Sequence, residues 1–93
     1  MIRSFRDKTT ASIAAGKGAR GFPPDLVRAA QRKLFMIDSA VALGDLRSPP
    51  GNRLEALRGD RKGQYSIRVN DQFRVCFRWR EGGAEDVEIT DYH

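Results

Sequence analysis

Three consecutive residues at the carboxyl end of this 93-residue chain carry a carboxylate, a phenol and an imidazole: Asp91, Tyr92 and His93. His93 is the only histidine. Imidazole has an ordinary pKa of about 6.5, so it gives and takes protons near neutral pH. An alternating apolar pattern runs up to these residues, which predicts that they are held at a strand end and still exposed. Taken alone, a terminal histidine is more often a solvated end than a proton carrier. Its company changes that reading. Arg74, in a neighbouring strand pattern, offers a planar fork of donors suited to phosphate. Arginine, tyrosine, histidine and carboxylates, with no cluster at metal-ligand spacing, point to phosphoryl chemistry on RNA. RNA brings its own nucleophile, the 2′-hydroxyl. The protein then has to remove one proton, stabilise charge at phosphorus and protonate the leaving oxygen. An aromatic ring suits an unstacked base. With a single histidine, a ribonuclease built on paired histidines is excluded. The residues imply no metal and no cofactor.

Composition sets the frame for that site. Ninety-three residues make one domain, 1–93, near the lower limit for a self-sufficient core. A hydrophobic content of 40% suits a small globule rather than a disordered chain. No apolar run is long enough to span a membrane, and the opening residues lack a secretory pattern. Cys76 is the single cysteine, which excludes an intrachain disulfide and leads to an expected cytoplasmic location. Seventeen Lys and Arg against 12 Asp and Glu leave a net charge of +5. A small basic domain is suited to RNA, and equally to an acidic protein partner.

The elements that must position the site follow from hydrophobic period. Ile2 to Phe5 reads as a short first strand. Asp7 to Ala15 reads as a weak helix ended by Gly16 and Gly18. A second helix opens at Pro23-Pro24-Asp25, with Leu26, Ala30, Leu34, Ile37 and Val41 on its core face and a stop at Gly44. Ser48-Pro49-Pro50-Gly51 is a rigid connector, and Leu54 and Leu57 anchor the polar stretch after it. Arg58 to Gly63 is a basic loop.

Period two then takes over, in three runs that predict an antiparallel meander: Tyr65 to Val69, Phe73 to Trp79, and Val87 to Ile89. A three-residue loop, Asn70 to Gln72, puts Val69 opposite Phe73 and Ile67 opposite Val75, so that the apolar faces agree. A five-residue loop, Arg80 to Ala84, pairs Phe77 with Val87 and Val75 with Ile89. The opposite face then carries Ser66, Arg68, Arg74, Cys76, Arg78, Asp86, Glu88, Thr90 and Tyr92. On that face Arg78 meets Asp86, while Arg74 has Thr90 opposite and Tyr92 on the diagonal, and no obvious salt-bridge partner. Asp91 falls on the other face if the strand runs unbroken.

Several stretches resemble HigB-type toxins of the RelE/ParE superfamily, from type II toxin–antitoxin systems. They are Gly51 to Arg61, Gly63 to Asn70, Arg74-Val75-Cys76-Phe77 and the closing Asp91-Tyr92-His93, with Met1 to Phe5 also fitting. The resemblance covers nearly the whole chain. It implies an α+β fold of the RelE type, two N-terminal helices on one face of a small, mostly antiparallel sheet. It implies an mRNA endonuclease that works in the ribosomal A site. It also implies a HigA-type helix-turn-helix antitoxin as partner, with operator DNA reached only through that antitoxin.

Carried over by position, the resemblance makes Asp91, Tyr92 and His93 the catalytic end and Arg74 the arginine on the neighbouring strand. Arg58, Arg61 and Lys62 would face RNA, with Arg68 and Arg78 on the basic strand face. Some members carry a catalytic histidine where this chain has Glu55, so His93 is left as the sole imidazole. The expected roles are phosphate stabilisation by Arg74, base orientation by Tyr92 and proton transfer by His93. The second acid–base group is Asp91 or Glu55. Two other readings share the fold: a ParE-like toxin that binds gyrase, and a non-catalytic RNA- or ribosome-binding co-repressor.

Overall fold

The computed structural model describes residues 1–91. Tyr92 and His93, with the roles expected of them, lie outside the described residues. The architecture is the expected α+β arrangement: two helices against a four-stranded antiparallel sheet in the order β1-β2-β3-β4.

Helix α1, Lys8–Ala14, starts where the Asp7 carboxylate accepts the Thr10 N–H at 2.7 Å. An N-cap of this kind satisfies a backbone donor that the helix leaves open. Helix α2, Pro24–Ser39, opens on the expected prolines and buries Leu26, Ala30, Leu34 and Ile37. It ends earlier than the apolar spacing predicts. Val41, expected in the core, is 81% exposed, and Ala40 is buried in its place. The reason is a competing cap. The Asp45 carboxylate accepts the N–H groups of both Val41 and Ala42 at 3.0 Å, turning the chain into a 3₁₀ turn, Leu43–Arg47. Gly44 therefore sits inside that turn and does not stop the helix.

Strands β2 (Tyr65–Arg68), β3 (Phe73–Arg80) and β4 (Gly83–Asp91) form the meander. Ile67 pairs with Val75, and Val69 donates to the Phe73 carbonyl at 2.9 Å, as the three-residue loop requires. The second hairpin differs. Arg80 pairs with Gly83 across a two-residue turn, Glu81-Gly82, in which both residues have positive φ. That is the type I′ pattern, whose twist matches the strands. The tight turn alone would put Asp86 inward opposite Phe77. A bulge at Asp86, with φ of 53°, absorbs the extra residue, and the pairs Cys76 with Glu88 and Val75 with Ile89 are restored. The five-residue loop is thus replaced by a short turn plus a bulge, with the same inward face.

Two further elements depart from expectation. Ile2 to Phe5 is not a full strand: Ile2 and Phe5 make single parallel bridges to Ala84 and Val87 on the β4 edge. The bulge between those contacts breaks the ladder; there the Asp86 N–H goes to the Ser4 hydroxyl at 2.9 Å. An additional strand, β1 (Glu55–Ala56), pairs with β2, Glu55 lying opposite Ser66.

The core lies between the helices and one sheet face, with Ile13, Ile37, Ile67, Val75, Phe77 and Val87 fully buried. Each such side chain contributes roughly 1.5–3 kcal/mol from burial. The other face is not the open polar surface that alternation suggests. Ser66 and Cys76 are fully buried there, and Gln64 and Arg74 nearly so. Among the described residues, no helix is long and apolar enough to cross a membrane.

Candidate active site

Arg74 projects from β3 onto the covered side of the sheet and is only 9% exposed. A buried guanidinium needs partners for its donors. Its Nε donates to the Ser66 hydroxyl at 2.7 Å, and Nη2 donates to the Arg53 carbonyl at 2.6 Å. Nη2 also lies 3.8 Å from the Glu55 carboxylate. The missing salt-bridge partner of Arg74 is therefore supplied by β1. The pair Glu55–Ser66 on β1 and β2 brings the carboxylate alongside the diagonal neighbour of Arg74. Glu55 also lines a shallow depression of about 490 Å³ with Ala56, Leu57 and Arg58.

Local backbone explains why Arg53 faces inward through its carbonyl. It follows the 3₁₀ turn Pro50–Asn52 and adopts a left-handed conformation, φ 45° and ψ 57°. Asn52 is fully buried beside it and donates to the carbonyls of Leu46 and Ser48 at 3.2 and 3.3 Å. Its Oδ1 accepts from Lys33 Nζ at 2.6 Å. Burial, with Arg32 and Arg68 nearby, holds the Lys33 pKa below its ordinary value.

The basic loop divides into two kinds of cation. Arg61 donates to Glu88 at 2.7 Å and to the Gln64 side chain at 3.0 Å, and so braces the loop against β4. Arg58 and Lys62 are exposed. Arg78 approaches the Asp86 carboxylate at 3.7 Å, and its guanidinium passes over Gly63. At Gly63, φ of 91° favours glycine, while an added Cβ would lie 3.0 Å from the movable end of the Arg78 side chain. Arg68 is paired with Asp71. Cys76 lies under this network, fully buried. Burial pushes its thiol pKa up, against smaller opposing effects of Thr90 and Arg61.

Asp91 stands apart. It pairs with Phe73, on the same side of the strands as Ile89, and accepts from Gln72 at 3.0 Å. The structure thus brings Arg74 and Glu55 together and sends Asp91 to the other face. Sequence reasoning missed Ser66, Arg53, Asn52 and Lys33. Ser66 was detectable as a small outer-face neighbour of Arg74; Arg53 acts through its carbonyl, which leaves no signal in residue type. Among the described residues, no group of three or more His, Cys, Asp or Glu is arranged to hold a metal ion.

A family model described as the RelE-like toxin of the type II toxin-antitoxin system HigB matches residues 3–93. The chain belongs to the HigB-like toxin family. Toxin HigB-1 of Vibrio cholerae serotype O1 is 45% identical over 93 residues, covering 99% of this chain and 98% of that protein. Endoribonuclease HigB of Proteus vulgaris is 32% identical over 93 residues, covering 100% of both. The solved YoeB-YefM complex from Staphylococcus aureus contains a chain that superposes with a TM-score of 0.63 at 15% identity. That match covers 100% of this toxin and 98% of the other chain, and it bears on fold alone.

Proposed function

We propose that this toxin is a metal-independent mRNA endonuclease that cuts messages in the ribosomal A site and is neutralised by a HigA-like helix-turn-helix antitoxin. The observation that carries the reading is the Arg74–Glu55 pair, a buried, forked cation with a carboxylate at 3.8 Å on the rim of a depression. Arg74 stabilises charge on the phosphorane-like transition state. Glu55 removes the 2′-hydroxyl proton, and His93 protonates the leaving oxygen. Tyr92 stacks on or orients the nucleotide. Glu55 takes the base role rather than Asp91, whose side of the sheet is the wrong one for Arg74. The family membership and the endoribonuclease name of the Proteus relative support an RNA-cleaving activity.

The test is induced expression of wild type and His93→Ala without antitoxin, with 5′ ends mapped in translated and untranslated messages. New ends confined to translated messages, and absent with His93→Ala, are expected. Growth arrest without new ends would instead point to a gyrase- or ribosome-binding toxin.

A further inference from the structure

We infer that Lys33 and Asn52 are positioning residues for Arg74, acting from helix α2 through the Arg53 turn. This rests on the functional reading above only for its consequence in catalysis, not for the positioning itself.

Asn52 immediately precedes Arg53. Its amide is buried and fully engaged, two donors on the Leu46 and Ser48 carbonyls and one acceptor on Lys33. A buried amide so held has one orientation. The next residue is the left-handed Arg53, and its carbonyl is the 2.6 Å acceptor of Arg74 Nη2. A left-handed non-glycine residue persists only where its surroundings hold it. Asn52 supplies that hold, and Lys33 supplies the link from α2 to Asn52. Ser66 fixes Nε of the same guanidinium at 2.7 Å. These two short bonds, on different nitrogens of a planar fork, set its position and its rotation, with a longer one from Nη2 to the Ser66 carbonyl at 3.4 Å. Removing the Arg53 anchor takes away the shortest contact of Nη2, whose other neighbours include the Ser66 carbonyl at 3.4 Å and Glu55 at 3.8 Å, and so loosens the guanidinium. Burial, with Arg32 and Arg68 nearby, disfavours the Lys33 ammonium, which keeps its 2.6 Å bond to Asn52 Oδ1.

The test reads Arg74 directly. In ¹⁵N-labelled toxin, the Arg74 Nε–Hε signal is followed in wild type, Lys33→Met, Lys33→Arg and Asn52→Ala, with Arg78 Nε–Hε as internal control. Lys33→Met is expected to lower the Arg74 order parameter and speed its solvent exchange about tenfold or more. Lys33→Arg is expected to recover most of the order, and Arg78 to stay unchanged. An Arg74 signal indifferent to Lys33→Met overturns the inference, whatever happens in Asn52→Ala, which risks unfolding. The same proteins are then assayed on ribosomes programmed with mRNA. A loose guanidinium should lower kcat about 10–100-fold with little change in KM. In an Arg74→Ala background, Lys33→Met should have no further effect. Equal loss in both backgrounds overturns the catalytic consequence. If wild type itself cuts nothing while Arg74 still loosens, the endonuclease reading falls and the positioning stands.

Discussion

The Arg74 guanidinium lies 3.8 Å from the Glu55 carboxylate, and the two side chains differ sharply in exposure, 11% against 52%. The cation is fixed by the fold while the carboxylate faces solvent at the depression. A general base needs such access, and a charge stabiliser needs such rigidity. Glu55→Gln should therefore lower kcat for RNA cleavage about 10²–10⁴-fold with KM nearly unchanged. Arg74→Lys should be nearly as damaging, because one ammonium cannot serve Ser66, Arg53 and a phosphate together. Asp91→Asn should stay close to wild type. Single-turnover cleavage on programmed ribosomes measures all three, and an Asp91→Asn defect matching that of Glu55→Gln would reassign the base.

The cations of the basic loop should separate by assay. Arg58 and Lys62 are exposed, and each phosphate contact removed should shallow the log–log salt dependence of RNA binding by about 0.7–0.9. Arg61 is committed to Glu88 at 2.7 Å. Arg61→Ala should change that slope less and cost about 1–2 kcal/mol of stability instead. Binding titrations at several salt concentrations, beside urea unfolding, distinguish the two. Equal slope changes for Arg61→Ala and Lys62→Ala, with stability intact, would mean that Arg61 also serves RNA.

Much of this site could be read from the residues because period two is strict. Ile67 with Val75 and Arg74 with Thr90 follow from keeping one face apolar, and the structure has both pairs. The register sets Arg78 opposite Glu85 rather than Asp86 because the hairpin turn is tighter than expected, yet the Asp86 carboxylate at the bulge still lies 3.7 Å from Arg78. What alternation misses is short or acts through backbone. Strand β1 has two residues, too few for a pattern, yet it carries Glu55 to Arg74. Val41 fits the helical spacing, but the Asp45 cap outcompetes another turn of helix. The Arg53 carbonyl could not be read at all, because any residue presents one.

Cys76 should behave as a core residue despite its place on the polar face. It is fully buried, and burial raises its thiol pKa from the ordinary 9.0. The folded protein thus keeps a proton that the unfolded chain releases above that pH. The contribution is complete below pH 9.0 and is lost as pH rises through the folded value. Lys33 works in the opposite sense. Its lowered pKa means that a burial penalty is relieved as pH rises towards 10.5. Comparing wild type with Cys76→Ala cancels the lysine. Urea unfolding from about pH 8 to about pH 10.5 should show wild type losing up to about 1.4 kcal/mol per pH unit relative to the variant. Iodoacetamide should label Cys76 only as fast as the protein opens. Rapid labelling of the native state would contradict its burial.

The Asp86 bulge is where the second hairpin is reconciled with the core, and substitutions there should show it. At φ of 53° an aspartate is tolerated, whereas a β-branched side chain meets its own backbone. Asp86→Val should lower stability by about 1–3 kcal/mol, although valine is a better strand former in the abstract. Asp86→Asn keeps the left-handed tolerance and loses only an exposed 3.7 Å ion pair with Arg78. Its cost should be about 0–1 kcal/mol. Deleting Asp86 should leave a regular ladder with Val87 opposite Phe77, because the tight turn already sets that register once the extra residue is gone. Urea midpoints rank the three variants, and a cross-strand contact between Val87 and Phe77 seen by NMR identifies the closed ladder. A stable Asp86→Val, or a deletion that turns Val87 outward, would show that the bulge does not set the inward face of β4.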